Sequence, residues 1–245
     1  MNTLQQKKNA YPFRLHLICS QQMAEILELF DVDAGEWPGW AEQKERQGRL
    51  HLVLGDSIAR DANWSSRFQG DAFLNAARGG ATWRSVRRHL SIDLAKWNAA
   101  VVRQGRRHGH VVLWLTGNDL YCRRTGQASW DQELLQSLSK AAEELVAALP
   151  KALVLGPLPR LGGEAGGAKW ETTAAFHLER RLLHCLPTSA RFVAMGRHLT
   201  IRRRGRQECP VACKPWFHAD GVHLTRSGYQ KLSDFLPIWL CMHAE

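Results

Sequence analysis

Short, largely apolar runs alternate with longer amphipathic stretches along this chain from residue 50 onwards. The apolar runs lie at residues 50–54, 73–76, 111–115, 153–155 and 192–195. The stretches with helical periodicity lie near residues 83–104, 130–149, 170–186 and 226–241. Buried parallel strands are mainly apolar, and each needs a crossover connection, usually a helix, before the next strand. The alternation therefore predicts an α/β domain with a parallel sheet of about five strands covered on both faces.

Residues 1–49 precede this alternation and are predicted to form an N-terminal extension that packs on the core or links to it. Apolar side chains at helical spacing predict a short helix over residues 21–30. Residues 31–39 contain the glycine and proline typical of a connector. Residues 50–245 are then one domain, since a single hydrophobic core can serve a segment of this length.

A serine, an aspartate and a histidine lie where such a chain turns at the edge of its sheet. Ser57 follows the first apolar run directly, and Asp220 and His223 come just before the last helix candidate. Sites in open parallel sheets form at the carboxyl ends of the strands, so these side chains are expected to meet. They are the three that nucleophilic ester cleavage needs. Helix capping and turn formation are the structural alternative for each of them.

Two further segments end strands at the same edge. Gly79 and Gly80 follow the second apolar run, and glycine lets a backbone N–H approach a substrate closely. Asn118 follows the third run, where its amide could donate to a developing oxyanion. A simple turn at the glycines and a helix cap at Asn118 are equally open on these residues alone.

The order of these four segments resembles the SGNH (GDSL-type) hydrolase family over residues 50–240. The matching blocks are Gly55-Asp56-Ser57, the Gly79-Gly80 turn, Gly117-Asn118-Asp119 and Asp220-x-x-His223. The resemblance implies a flavodoxin-like three-layer α/β/α fold. It also implies a serine esterase that acts on a small acyl ester, with acetyl or other short acyl groups favoured and lipid esters still open.

The same resemblance implies a role for each residue of the blocks. Ser57 is the nucleophile, His223 is the general base, and Asp220 orients and stabilises the histidine. The oxyanion hole consists of the N–H of Ser57, the N–H of Gly80 and the side-chain amide of Asn118. The resemblance implies neither a cofactor nor a metal.

Three positions depart from the usual blocks of the family. Thr116 replaces the first glycine of the third block, Arg78 stands where a small residue is common, and Ile58 replaces a leucine. We expect Thr116 and Arg78 to affect the shape of the substrate site more than its catalysis. His218 also lies near the pair, but the Asp-x-x-His spacing favours His223 as the base.

The chain is basic, with 33 Lys and Arg against 23 Asp and Glu and a formal net charge of +10. Arginines cluster at residues 84–88, 103–107 and 202–206. A basic surface attracts phosphate groups, so an alternative function is binding of RNA or of an anionic membrane. Residues 220–229 resemble esterase domains of retroelement proteins, which implies an accessory protein in which esterase activity is secondary. A dispersed, solvated set of charges fits the scattered patches equally well.

Metal, membrane and disulfide signals are weak. The six cysteines show no tight framework, and Cys209 and Cys213 with two nearby histidines give only a loose zinc pattern. The apolar stretch at residues 15–19 is too short for a signal peptide or a membrane span. We therefore expect no metal, no transmembrane segment and a cytoplasmic location.

Overall fold

The computed structural model describes residues 48–122, 127–128, 130–161, 168–209 and 215–244. All but the last two residues of the predicted N-terminal extension, residues 1–49, lie outside the described residues. The extension and its helix at residues 21–30 therefore stay predictions.

The described residues contain nine strands and five α-helices. In chain order the strands are β1 (Arg49–Gly55), β2 (Ala62–Ser65), β3 (Ala72–Asn75), β4 (Arg107–Trp114), β5 (Ala152–Leu155), β6 (Arg191–Val193), β7 (Ile201–Arg203), β8 (Arg206–Glu208) and β9 (Cys241–Ala244). The helices are α1 (Ser57–Asp61), α2 (Trp83–Arg103), α3 (Gln132–Ala147), α4 (Ala174–Cys185) and α5 (Arg226–Ser233).

Five of the strands form one parallel sheet in the order β3-β1-β4-β5-β6. This is the doubly wound order of flavodoxin-like folds, in which the winding reverses beside the first strand. The predicted α/β class and the five-stranded parallel sheet are confirmed. The reversal lies between β1 and β4, and the crevice outside their carboxyl ends is where such folds bind ligands.

Successive side chains of a strand point to opposite faces of the sheet, so each face has its own core. On β1, Leu52 and Leu54 lie in one buried cluster with residues of α2, α3 and α4. Val53 lies in a second cluster, with residues of α1, α5 and β9. Helices therefore cover both faces, and the three-layer arrangement is confirmed.

Side-chain caps determine where the helices begin. Thr82, Asp131, Thr173 and Thr225 each accept a hydrogen bond from a backbone N–H of the first turn of α2, α3, α4 and α5. Thr173 also divides the predicted helix at residues 170–186. A single 3₁₀ turn, Trp170–Thr172, precedes it and α4 follows.

The helix predicted over residues 226–241 is wrong beyond Ser233, where α5 ends. Leu236 and Leu240 are buried and continue the apolar periodicity, but Pro237 cannot donate a helical hydrogen bond. Beyond α5 the chain makes two tight turns and then enters β9, which pairs antiparallel with β2. Pairing with a distant strand outweighs the local periodicity here.

The longest helix is α2, with 21 residues, and it carries charged side chains along its length. Within the described ranges, no helix is long and apolar enough to cross a lipid bilayer.

Glu179 on α4 is a buried carboxyl group, and its Oε2 has no hydrogen-bond partner among the described residues. Burial raises the pKa of Glu179 from 4.5 to about 7, although backbone hydrogen bonds from Gly196 and Met195 oppose the shift. Because the folded pKa lies above the unfolded one, Glu179 favours the folded state most at low pH. That contribution is lost as the pH rises from about 4.5 to about 7.

We expect Glu179→Gln to stabilise the protein at pH values above this window. The amide is neutral at every pH, so the gain in free energy of unfolding should be about 1–3 kcal/mol above the window and should vanish below it. Urea unfolding of both proteins on either side of the window measures the gain. Glu171→Gln, at an exposed position, is the control. An equal gain at both pH values would contradict the buried-charge explanation.

Candidate active site

Ser57, His223 and Asp220 form one continuous hydrogen-bonded chain. Ser57 is the first residue of α1, directly beyond the carboxyl end of β1. The Ser57 Oγ lies 3.0 Å from His223 Nε2, and His223 Nδ1 lies 2.6 Å from Asp220 Oδ2. A carboxylate accepts, so Nδ1 carries the proton and Nε2 can accept the Ser57 hydroxyl proton. Residues 166 positions apart in the sequence thus meet at one edge of the sheet.

Asp220 uses its two carboxylate oxygens differently. Its Oδ1 accepts hydrogen bonds from the backbone N–H groups of Val222, at 2.8 Å, and His223, at 3.0 Å. Its Oδ2 is thereby directed at the imidazole. Partial burial would raise the pKa of Asp220, but the hydrogen bonds from His223 and Val222 outweigh it and lower the pKa. The carboxylate is therefore ionised at neutral pH.

Backbone and side-chain contacts hold the histidine loop against the sheet. The His218 N–H donates to the carbonyl of His223 at 2.8 Å, so His218 contributes its backbone to the loop. Helix α5 follows the loop, and its Tyr229 hydroxyl donates to the carbonyl of Ile58 at 2.8 Å. Because Ile58 is the neighbour of Ser57, this bond couples the histidine side of the site to the serine side.

Asp56 is fully buried and organises the turn that presents Ser57. It accepts hydrogen bonds from the N–H of Ile58 at 3.0 Å, the N–H of Thr116 at 2.7 Å and the Thr116 hydroxyl at 2.6 Å. Burial raises the pKa of Asp56, and the Thr116 bonds counteract it. Thr116 therefore has a structural function, and its hydroxyl points to Asp56.

Arg78, the second departure, also has a structural partner. Its guanidinium binds both carboxylate oxygens of Asp93 on α2, at 2.5 and 2.8 Å. The Asp93 side chain is fully buried, so Arg78 supplies the charge that this carboxylate requires. These bonds account for arginine at a position where a small residue was expected.

The segments that carry Gly80 and Asn118 are joined to each other and to the serine turn. The Arg78 N–H donates to the carbonyl of Gly55 at 2.9 Å. The Asn118 side-chain N–H donates to the carbonyl of Ala81 at 3.0 Å. Gly80 has a φ of 69°, a left-handed conformation that favours glycine. Ser57 is the first residue of α1, so its N–H is one of the helix N-terminal donors that no intrahelical carbonyl satisfies. These contacts bring the segments that carry Ser57, Gly80 and Asn118 to the same edge, while the role of these residues as an oxyanion hole stays a prediction.

Asp119 stabilises the neighbouring helix start. Its Oδ2 accepts a hydrogen bond from the N–H of Trp83, the first residue of α2, at 3.2 Å. Burial raises the pKa of Asp119 to about 6, and the nearby Asp56 adds to the effect. Asp119 thus binds a backbone N–H of the first turn of α2.

Arg160 is a site residue that the sequence interpretation missed. Its Nη2 donates to Asn118 Oδ1 at 2.6 Å, and its guanidinium lies 4.7 Å from the centre of the Tyr121 ring. The apolar run at residues 153–155 could have indicated this residue. The run forms β5, which ends at the same edge as β1 and β4, so residues that follow it are expected near the site.

The site opens to solvent on the histidine side. The side chain of Asp220 is 49% exposed and that of His223 39% exposed. Cys213 of the weak zinc pattern lies outside the described residues. Among the residues that are described, no three His, Cys, Asp or Glu side chains are arranged to hold a metal.

Solved structures to which this chain is similar include esterases and a lipase/acylhydrolase. Two are mutants of Axe2. One, described as an acetyl-xylooligosaccharide esterase from Geobacillus, is 16% identical with a TM-score of 0.50, over 78% of this chain and 93% of that one. The chain has the fold of Axe2. The other, an acetylxylan esterase from Geobacillus stearothermophilus, is 16% identical with a TM-score of 0.49, over 77% and 92% of the chains. A lipase/acylhydrolase from Enterococcus faecalis is 14% identical with a TM-score of 0.44, over 74% and 89%.

At such identities the similarity to Axe2 establishes the fold alone. No protein-family model matches the sequence, and no curated protein does. The neighbours give no support to the retroelement branch. The chemistry of the site therefore depends on the side chains described above.

Proposed function

We propose that the chain is a serine esterase of the SGNH type that hydrolyses a small acyl ester through an acyl-enzyme intermediate. The hydrogen-bonded chain from Ser57 through His223 to Asp220 carries this proposal. Its position outside the carboxyl ends of β1 and β4 supports it, because sheets of this order bind ligands there.

In the first half of the reaction, Ser57 Oγ attacks the carbonyl carbon of the ester as its proton moves to His223 Nε2. Asp220 keeps the other ring proton on Nδ1 and stabilises the imidazolium. The carbonyl oxygen becomes negative in the tetrahedral intermediate. The N–H groups of Ser57, Gly80 and Asn118 are the proposed donors to that oxygen.

The intermediate collapses when the bond to the alcohol oxygen breaks and His223 Nε2 donates its proton to the leaving alcohol. The acyl group is then an ester of Ser57. Water repeats the sequence: it loses a proton to His223 Nε2, attacks the acyl carbon, and releases the acid as Ser57 recovers its proton.

Initial rates with p-nitrophenyl acetate, butyrate and octanoate test this proposal and measure the depth of the acyl site. We propose that acetate or butyrate is turned over fastest. A maximum at octanoate would move the substrate class to lipid esters. Absence of turnover with all three esters, from protein whose circular dichroism shows the α/β fold, would contradict the esterase proposal.

A second proposed function, binding of single-stranded RNA, rests on a basic surface groove. Helices α2 and α3 line a cavity of about 500 Å³. Arg84, Arg87, Arg88 and Lys140 line it against one acid, Glu144, which pairs with Arg87. A concave groove with excess positive charge suits the phosphates of a flexible chain better than a flat membrane surface.

We expect the variant Arg84→Gln, Arg87→Gln, Arg88→Gln to bind RNA more weakly than the wild type. Loss of three phosphate contacts should reduce the slope of log K against log salt concentration by about 2. Fluorescence anisotropy of a labelled single-stranded RNA over a salt series measures this slope. The control, Arg202→Gln, Arg204→Gln, Arg206→Gln, changes the charge equally near the β7–β8 hairpin. No wild-type binding at low salt, or an equal loss in both variants, would rule out this groove.

A further inference from the structure

We infer that Arg160 is a positioning residue for ester hydrolysis, which holds the side-chain amide of Asn118 with its N–H directed at the oxyanion. This inference rests on the proposed esterase function. It adds to the reaction a residue from the loop after β5, which none of the four sequence blocks contains.

The hydrogen bonds of Asn118 identify its oxygen and its nitrogen. An arginine has only donors, so the Asn118 atom 2.6 Å from Arg160 Nη2 is the oxygen. A backbone carbonyl has only acceptors, so the atom 3.0 Å from the carbonyl of Ala81 is the nitrogen. One of the two Asn118 N–H bonds is thus engaged with Ala81. The other is available for a substrate oxygen.

Arg160 prevents the opposite orientation of this amide. An amide rotated by 180° about its last side-chain bond exchanges oxygen and nitrogen with little change in shape. The rotated form would oppose an NH₂ group to the guanidinium and a carbonyl oxygen to the carbonyl of Ala81. It would also present an oxygen to the negative charge of the tetrahedral intermediate. With Arg160 present, rotation of the amide would replace two favourable hydrogen bonds with two repulsive contacts. The orientation with the N–H directed at the oxyanion therefore dominates.

Arg160 is itself held in place from both sides. The Leu158 N–H donates to the carbonyl of Thr116 at 3.0 Å, and the Leu161 N–H donates to the carbonyl of Gly221 at 2.8 Å. The loop around Arg160 is therefore bound to the segment that carries Asn118 and to the segment that carries His223. The Tyr121 ring under the guanidinium adds a cation–π contact.

The positive charge of Arg160 strengthens the same donor. A cation on the amide oxygen draws electron density from the amide nitrogen, and its N–H becomes a better donor. Asp56 and Asp220 attract Arg160 only at longer range. Among the described residues no carboxylate lies within 4 Å of the guanidinium to form an ion pair. The polarisation contributes more as charge develops on the substrate oxygen, which affects kcat more than KM.

A double-mutant cycle on p-nitrophenyl acetate hydrolysis tests the inference. We expect Asn118→Ala to lower kcat about 10²–10³-fold. Arg160→Gln should lower it by about 10- to 100-fold with little change in KM, because it weakens that donor without removing it. In the Asn118→Ala background, Arg160→Gln should have no further effect, since no amide remains to be positioned. Arg160→Lys should recover part of the loss, since an ammonium still donates to Oδ1.

The controls separate this inference from the proposed function and from folding. Arg180→Gln removes an exposed arginine of α4 and should leave kcat unchanged. Thermal melts of all variants, with Arg160→Lys as the conservative replacement, report loss of structure. Multiplicative losses in the double mutant, or full activity of Arg160→Gln, would overturn the role of Arg160 while the esterase function stands. An inactive wild type would remove both together.

Discussion

Ser57→Ala is expected to lower kcat for p-nitrophenyl acetate on the order of 10⁶-fold, the scale of loss when a serine nucleophile is removed from such a triad. The reason is that the hydroxyl 3.0 Å from His223 Nε2 forms the acyl bond in the proposed reaction. Because nucleophile and base act as a unit, the double variant Ser57→Ala, His223→Ala should be no slower than either single variant. Stopped assays with active-site titration measure these rates.

Ser91→Ala is the matched control for Ser57, because Ser91 is exposed on α2, outside the site. It should retain the wild-type rate. A Ser57→Ala protein that keeps more than about a hundredth of the wild-type kcat would be inconsistent with Ser57 as nucleophile, since loss of correct positioning alone lowers a rate by roughly 10²-fold.

Asp220→Asn is expected to lower kcat on the order of 10⁴-fold, through the tautomer of His223. The asparagine oxygen should take the position of Oδ1, because that atom accepts from the N–H groups of Val222 and His223. Its NH₂ group then faces His223 Nδ1, 2.6 Å from Oδ2 in the native protein. A donor there requires Nδ1 to accept, so the ring proton moves to Nε2. Nε2 can then no longer take the Ser57 proton.

Asp234→Asn, at the exposed C-terminal cap of α5, controls for the loss of one negative charge. Nitrogen NMR of the imidazole reports the tautomer directly. We expect a protonated Nδ1 in the wild type and a protonated Nε2 in Asp220→Asn. An unchanged tautomer together with an unchanged rate would remove Asp220 from the reaction.

The sequence predicts the sheet well because its strands are buried on both faces. Val53 and Leu54 point to opposite faces, and both are completely buried. Such strands appear in the sequence as continuous apolar runs, which are easily distinguished from polar loops. The meeting of Ser57 with His223 follows from the same sheet, since residues that end parallel strands share an edge.

Long-range contacts decide what the sequence did not predict. The end of the last helix depends on β9 pairing with β2, whose residues lie about 180 positions earlier. Arg160 became a site residue only through its contact with Asn118, 42 positions away. The structural roles of Thr116 and Arg78 were also not predicted. The acids that bind them, Asp56 and Asp93, could not be assigned as their partners from sequence spacing.

Labelling with a fluorophosphonate probe, followed by peptide mass spectrometry, tests most directly whether the meeting of Ser57, His223 and Asp220 creates a nucleophile. The probe reacts with a serine hydroxyl that an adjacent base activates. We expect one adduct, on Ser57, that is absent from Ser57→Ala and forms far more slowly in His223→Ala. An adduct on another residue, or equal labelling of Ser57→Ala and wild type, would contradict the proposed reaction.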